Sequence, residues 1–197
     1  AEENLKSKKK YLEKEKIPYI LCRAKDYMRV TSSNSLLVNA SKDPKIVSYL
    51  DRKVKEPKEL LFYAGAFFEI TANDTKRGKY QSSQIVRMLK VPTEEDVQSH
   101  QDVEVMKPKN NKVNYQADFE QSLPTEEDSI AAGWEKIKIG IPDERFVSVD
   151  SRQACRKQYT IRHMGSSTIN KQMGNTLTGT VAIEMTTECC PWEKGQI

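Results

Sequence analysis

Short apolar runs bounded by proline and turn-forming residues constrain the fold of this chain more than any other feature. The densest run covers residues 60–72 (LLFYAGAFFEITA) and is rich in aromatic and β-branched residues; a polar cluster at 73–78 (NDTKRG) follows it. Such runs favour strands, and such clusters favour turns. We therefore expect a strand or a pair of strands here, ended by a turn.

Further short runs predict more strands. Three runs are apolar and β-prone: 19–22 (YILC), 145–149 (RFVSV) and 180–185 (TVAIEM). A fourth run, 134–141 (WEKIKIGI), alternates apolar with polar residues. Alternation indicates a strand with one buried face, because successive side chains point to opposite sides. No run approaches the about 18 apolar residues that a membrane-spanning helix needs, so we expect no membrane partner.

Helices are predicted where apolar residues recur at helical spacing. Residues 1–16 are mostly Lys and Glu, with two leucines seven apart, and 82–90 carry apolar residues at helical spacing. Residues 44–55 follow Asp43-Pro44, which reads as an N-cap and a proline at the first helical position. We expect a helix in each of these segments.

The sequence Pro-Thr-Glu-Glu-Asp occurs at 92–96 and again at 124–128. In both copies Thr is placed to cap a helix whose first turn carries acids near the positive end of its dipole. Between the copies, residues 97–122 are rich in Gln, Asn, Lys and Asp. We expect a surface loop or a partly disordered segment there.

Charge is unevenly spread along the chain. The net charge is +7 over residues 1–58, +2 over 59–91, −8 over 92–135 and +3 over 136–197, which gives the total of +4. The basic segments are suited to meet around a polyanion, with the acidic middle facing elsewhere. The alternative is a set of solvated faces without a partner.

The composition argues against several kinds of chemistry. No G-x-x-x-x-G-K-S/T loop or G-x-S-x-G elbow is present, so we expect no catalytic residue in this segment. Cysteine and histidine are too few and wrongly spaced for a zinc site, and we expect no metal ligand. The residues concerned are Cys22, Cys155, Cys189, Cys190, His100 and His163. A cysteine activated by His163 is the weaker alternative.

The most informative stretch is 156–177 (RKQYTIRHMGSSTINKQMGNTL). Thr168 and Ile169 are read as the end of a short buried strand, and Gly174 permits a sharp turn. Small or cationic donors cluster around that turn at Asn170, Lys171, Asn175 and Thr176. Such a corner offers amides, hydroxyls and an ammonium to a phosphate. Equally, it suits a helix start capped by Thr168 with no ligand.

This stretch resembles motif V of superfamily-one DNA helicases of the Pif and RecD type, including the helicase domains of Helitron transposons. That family carries R-x-Q-F/Y-P-L/I, a short spacer and then T-I-H/N-K-S/A-Q-G-x-T/S-L. The matching residues are Arg156, Gln158, Tyr159, Ile161, Thr168, Ile169, Asn170, Lys171, Gly174, Thr176 and Leu177. The chain departs from the family at Thr160, usually Pro, at Gln172, usually small, and at Met173, usually Gln.

Other stretches resemble the same family in the same order. Tyr19–Asp26, after Asn4, looks like the segment that follows motif IV, and 194–197 looks like the approach to motif VI, so we expect the natural chain to continue. Residues 60–74 look like the family's L-x-L-x-x-G-A-x-V-x-x-x-x-N-D/N strand. The matching positions there are Gly65, Ala66, Asn73 and Asp74.

The resemblance implies an α/β fold: a partial RecA-like second helicase lobe with a β-rich inserted subdomain. Residues 1–56 would begin the lobe and be helix-rich, 57–155 would form the β-rich insertion with its acidic loop, and 156–197 would return to the lobe. The aromatics of 60–68 would be core, or alternatively would stack on bases.

The resemblance also implies a function: the C-terminal fragment of an ATP-dependent DNA helicase or translocase, nuclear or otherwise intracellular and transposon-derived. Thr168, Asn170 and Lys171 would hold the single-stranded DNA backbone, while Gly174 and Thr176 would shape the turn facing the nucleotide cleft. ATP and Mg²⁺ would bind the complete protein and not this segment, which alone would be inactive. The alternatives are a nucleic-acid-binding or protein-interaction module without a motor, or an unrelated interaction domain.

Overall fold

The computed structural model describes residues 2–29, 37–75, 77–110, 124–142, 145–149 and 152–164, which all lie in one compact unit. The described helices are α1 (Glu2–Lys14), α2 (Pro44–Lys53), α3 (Glu94–Gln98) and α4 (Glu126–Ala131). The described strands are β1 (Tyr19–Arg23), β2 (Lys25–Arg29), β3 (Leu37–Asn39), β4 (Glu59–Tyr63), β5 (Phe67–Ile70), β6 (Ile85–Arg87), β7 (Val103–Pro108), β8 (Trp134–Ile139), β9 (Val147–Val149), β10 (Arg152–Lys157) and β11 (Ile161–His163).

These strands form three sheets. Strands β1 and β4 pair with each other, a four-stranded sheet has the order β3-β2-β10-β9, and a five-stranded sheet has the order β11-β5-β6-β7-β8. Every pairing between these strands is antiparallel. The chain is therefore of mixed α/β class, with several antiparallel sheets and few helices in its described part. The predicted α/β class agrees with this at the level of class.

Two hydrophobic clusters hold the sheets together. The larger one joins the five-stranded sheet to β1 and β4, and its largest fully buried rings are Phe62, Phe68 and Tyr159. The smaller one packs helix α2, through Ile46 and Leu50, against the four-stranded sheet. Burial of these apolar side chains is the main driving force for bringing the sheets together.

The predicted helix starts are confirmed in detail. The carboxylate of Asp43 accepts the amides of Lys45 and Ile46 at 3.0 and 3.3 Å, with Pro44 at the first helical position. Thr93 and Thr125 each form a capping box with the aspartate three residues on. Each box satisfies amides that the first turn of a helix leaves without partners.

The strand predictions for 19–22, 134–141 and 145–149 are confirmed by β1, β8 and β9, and the run 60–72 contains the two strands β4 and β5. The helix predicted for 82–90 is wrong, because Ile85–Arg87 form strand β6.

The loop predicted for 97–122 is wrong in its middle, where Val103–Pro108 form strand β7. The strand predicted at 180–185 lies outside the described residues.

Candidate functional site

The predicted DNA-binding and nucleotide-facing residues fall in the segment 165–197, which lies outside the described residues. They are Thr168, Asn170, Lys171, Gly174 and Thr176. Three other stretches that carry the helicase resemblance, residues 19–26, 60–74 and 156–161, are described, and they meet at one place in the fold.

That place is a junction where two stretches of chain change sheets side by side. Residue Ala24 connects β1 of the two-stranded sheet to β2 of the four-stranded sheet, and residues 158–160 connect β10 to β11 of the five-stranded sheet. Strands β2 and β10 pair antiparallel, with Asp26 opposite Arg156. We call this region the strand junction.

A buried ion pair lies at the centre of the strand junction. The guanidinium of Arg156 donates from Nε and Nη2 to the two carboxylate oxygens of Asp26, at 2.8 and 2.9 Å. The two side chains are only 1% and 3% exposed. Bidentate geometry of this kind is what offsets the desolvation of two buried charges.

Arg156 also holds the neighbouring helix. Its Nη1 lies 2.7 Å from Oδ1 of Asp51 on α2 and donates to the carbonyl of Glu56 at 3.3 Å. The first residue of the R-x-Q-Y run thus connects β10 to β2, to α2 and to the segment that leaves α2.

Gln158 and Tyr159 extend the same junction. The side-chain carbonyl of Gln158 accepts from the Cys22 thiol at 3.3 Å and from the Tyr159 amide at 3.0 Å. The Tyr159 hydroxyl donates to the carbonyl of Gln101 at 2.7 Å, and its ring lies edge-on to Phe62 at 5.5 Å. Burial raises the pKa of Cys22 to about 11, although Gln158 and Lys25 act in the opposite direction, so this thiol is protonated at neutral pH.

The residues of 60–74 that match the family build turns and core. Gly65 has φ +86° and lies in a turn in which the Tyr63 carbonyl accepts the amide of Ala66 at 3.1 Å. The side chain of Asn73 accepts the Ser82 amide at 2.7 Å, and that of Asp74 accepts the amides of Arg77 and Lys79.

The aromatics of this run are core residues. Phe62, Phe67 and Phe68 are buried, and Tyr63 is partly buried against the same cluster. A base-stacking role for the three phenylalanines would require them to leave that core. The expectation that these rings serve packing is supported, and the base-stacking alternative is not.

His163 is unsuited to act as a general base. Its Nε2 accepts the amide of Leu61 at 2.9 Å, and its ring lies between Tyr63 and Phe68, with centroids 6.2 and 4.8 Å away. Burial, with the charge of Lys8 as a second cause, lowers its pKa to about 3. A general base that acts at neutral pH needs a pKa near 7.

Three further observations bear on function. Among the described residues, no group of three or more His, Cys, Asp and Glu side chains is placed to hold a metal ion. In the same part of the chain, no helix is long and apolar enough to cross a membrane. Comparison of the chain with protein-family models, curated proteins and solved structures found no match.

Sequence reasoning did not identify the Asp26–Arg156 pair, although both residues lie in stretches that resemble the family. The two strands, KDYMR and RQACRK, each mix several charged residues with apolar ones, so neither sequence marks which charge is buried. The partner itself could not be read from the sequence, since 130 residues separate the two.

Proposed function

We propose that the chain is the C-terminal part of an ATP-dependent DNA helicase or translocase of superfamily one, similar to the Pif and RecD type. Its contribution would be to bind the backbone of single-stranded DNA and to couple that strand to a nucleotide site between two lobes. The nucleotide-binding loop and the sensing arginine would lie outside these 197 residues. ATP and Mg²⁺ would therefore bind the complete protein.

The observation that carries this proposal is the meeting of three separate stretches. Residues 19–26, 60–74 and 156–161 each resemble the family on their own residues. In space β1 pairs with β4, Asp26 pairs with Arg156, and Ile70 lies opposite Ile161. Because the three stretches contact one another, a shared fold would explain why all three resemble the family. Three independent chance resemblances would have no reason to meet at one junction.

We further propose that a RecA-like lobe carries the β-rich subdomain as an insertion. Antiparallel pairing suits a β-rich insertion, whereas a RecA-like lobe is built on a parallel sheet. Because β1 to β3 and β11 also pair antiparallel, the insertion in this proposal spans β1 to β11 and is wider than the predicted bounds 57–155. The departure at Thr160 is compatible with the family pattern, since its carbonyl accepts the Thr71 amide at 2.8 Å. A proline at that position keeps the same carbonyl.

A nucleic-acid-binding module without a motor is the second candidate. Met173 favours it, because a thioether cannot make the polar contacts of the glutamine that the family carries there. In that case single-stranded DNA would still bind, but no ATP hydrolysis would follow in the complete chain.

Two measurements test the proposal. The first is binding of a labelled oligothymidine to the chain as a function of salt, and the second is DNA-stimulated ATP hydrolysis by the natural chain with its flanking sequence. Salt-dependent binding with hydrolysis supports the helicase proposal, and binding without hydrolysis supports the module. Absence of binding at low salt contradicts both and leaves the unrelated interaction domain.

A further inference from the structure

Helix α1 presents a basic face to solvent. On its inner side Leu12 is fully buried, and Leu5 and Lys8, which share that side, are partly buried. The outer side is formed by residues three or four positions apart, which are neighbours on a helix. All of them are exposed: Lys6, Ser7, Lys10, Tyr11 and Lys14. We call this set the lysine face.

The sequence of α1 concentrates positive charge in the middle of the helix. Residues 4–12 contain four lysines and no acid. Lys6 and Lys10 are about 6 Å apart along the helix axis, and like charges at this spacing destabilise a helix. Neither lysine has an acidic partner among the residues that the structure describes. An anion that contacts both ammonium groups therefore removes their repulsion.

The acids that follow this stretch are engaged with other groups. Glu13 accepts the Tyr19 hydroxyl at 2.9 Å and lies 4.0 Å from the ammonium of Lys9. Glu15, just after the helix, lies 3.8 Å from the ammonium of Lys14. The uncompensated charge of the lysine face therefore belongs to its other two lysines.

Tyr11 gives the same face an aromatic ring. It is 57% exposed, more than any other large apolar residue in the described part of the chain, and on the helix it is a neighbour of Ser7 and Lys14. Proteins that bind single strands without sequence preference combine cations along the backbone with aromatic rings on which bases stack. The lysine face carries both kinds of group.

The burial of α1 favours a nucleic acid over a membrane as the polyanion. A helix that lies on a bilayer inserts its apolar face among the lipids, but the apolar side of α1 is already buried inside the protein through Leu12. The exposed side offers a row of cations and one aromatic ring. These groups complement a strand of linked phosphates that carries flat bases.

We propose that the lysine face of α1 binds the phosphate backbone of single-stranded DNA, with Tyr11 stacking on a base. This inference rests on the proposed function, because it adds a contact for the same strand. It concerns residues that the helicase resemblance does not assign. Lys6 and Lys10 neutralise two neighbouring phosphates, since their spacing lets successive phosphates of one strand reach both.

The test compares two double variants of the full chain that lose the same charge. Lys6→Ala/Lys10→Ala removes the two uncompensated lysines. The control, Lys45→Ala/Lys53→Ala, removes two exposed lysines of helix α2. Thermal unfolding is expected to show that both variants are folded and about as stable as the natural chain, because the removed side chains are exposed and alanine favours a helix.

The readout is oligothymidine binding by fluorescence anisotropy between about 50 and about 200 mM salt. Lys6→Ala/Lys10→Ala is expected to bind about tenfold more weakly at the lowest salt, with a salt slope smaller by about 1.4, which corresponds to two phosphates of a single strand. The control variant is expected to change both quantities much less. Lys6→Arg/Lys10→Arg keeps both charges and is expected to keep the natural slope.

The contribution of Tyr11 is measured separately. Tyr11→Ala is expected to weaken oligothymidine binding about fivefold and to leave the salt slope unchanged, because stacking on a base releases no counterions. Tyr11→Phe keeps the ring and is expected to bind as the natural chain does. Binding of a duplex of the same length is expected to be unaffected by Tyr11→Ala, since its bases are already stacked on one another.

The named outcomes separate the two proposals. Equal losses in the two double variants, or none in the first, would overturn the lysine-face site while leaving single-strand binding by the chain intact. Equal losses for duplex and single strand in Tyr11→Ala would overturn the single-strand assignment. Binding to phosphatidylserine vesicles that Lys6→Ala/Lys10→Ala abolishes, with oligothymidine binding unchanged, would assign the face to a membrane instead. Failure of the natural chain to bind oligothymidine at all would overturn the site together with the proposed function.

Discussion

Arg156 and Asp26 form a bidentate ion pair between β10 and β2, with donor–acceptor distances of 2.8 and 2.9 Å. The pair lies beside the two points where the chain passes between sheets, just after it enters β2 and just before it leaves β10. Its side chains are 1% and 3% exposed. It fixes the register of two segments that are far apart in sequence. Removing one partner leaves the other as a buried charge, and the cost of that exceeds the net value of the pair.

Asp26→Ala is therefore expected to lower the free energy of unfolding by about 3–5 kcal/mol. The lower end is expected because Asp51 still contacts the guanidinium at 2.7 Å. Urea denaturation measures the change. The matched control is Glu59→Ala, which breaks the exposed pair that Arg23 forms at 3.2 Å and is expected to cost about 0–1 kcal/mol. Equal costs for the two variants would contradict the structural role assigned to the buried pair.

Protonation of His163 is expected to make stability depend on pH. Burial lowers its pKa to about 3 in the folded chain, while the unfolded chain has the ordinary value of about 6.5. The unfolded chain then binds more protons between these values. The contribution of neutral His163 is present above about pH 6.5 and is lost at about 1.4 kcal/mol per pH unit as the pH falls toward 3.

His163→Gln isolates this contribution, since its side-chain carbonyl is able to accept the Leu61 amide in place of Nε2. Urea unfolding at about pH 7.5 and about pH 5 is expected to show a smaller loss of stability in the variant than in the natural chain. Carboxylates also titrate near the lower pH, but they are the same in both chains. Their contribution therefore cancels when the pH-dependent change in unfolding free energy of one chain is subtracted from that of the other. The same pH dependence in both would show that His163 is not buried in its neutral form.

Gly65 is expected to resist substitution because of its backbone conformation. Its φ of +86° lies at the third position of the turn that closes from Tyr63 to Ala66, where a side chain is disfavoured. Gly65→Ala is expected to cost about 1–2 kcal/mol. Gly65→Asn is expected to cost less, since Asn tolerates positive φ better than Ala. Thermal denaturation ranks the variants, and the reverse order would mean that the turn relaxes.

Local signals in the sequence were sufficient to predict the helices that begin with a capping residue. Asp43-Pro44 predicted α2, and the two Pro-Thr-Glu-Glu-Asp copies predicted α3 and α4, because a cap is formed by residues that are neighbours in sequence. The sequence also predicted strand β8, since the alternation of apolar and polar residues over Trp134–Ile139 matches the period of a half-buried strand.

Elements that depend on distant partners were misread or missed. Ile85, Met88 and Leu89 have helical spacing, but Val86 pairs with Phe68 of β5 and the Met88 amide donates to the Ala66 carbonyl at 2.9 Å. The pairing with β5 outweighs a helix preference carried by three apolar positions. Strand β7 alternates buried Val103 and Val105 around Glu104, a signal that its polar surroundings obscured.

Charged residues that meet only in the fold follow the same division. Lys25 and Lys157 carry no local motif, and only the register of β2 against β10 makes them neighbours. The charge counts along the sequence therefore suggested a polyanionic partner without locating its site.

Lys171 offers a test of the DNA-binding prediction that the sequence made by itself. If its ammonium holds a backbone phosphate, Lys171→Ala is expected to weaken binding to all oligonucleotide sequences and to reduce the salt slope by about one. Lys171→Arg keeps the charge and is expected to retain the slope, since the electrostatic part of binding depends on counterion release. Anisotropy titrations over a range of salt measure both. An unchanged affinity and slope in Lys171→Ala would remove the phosphate role from this residue.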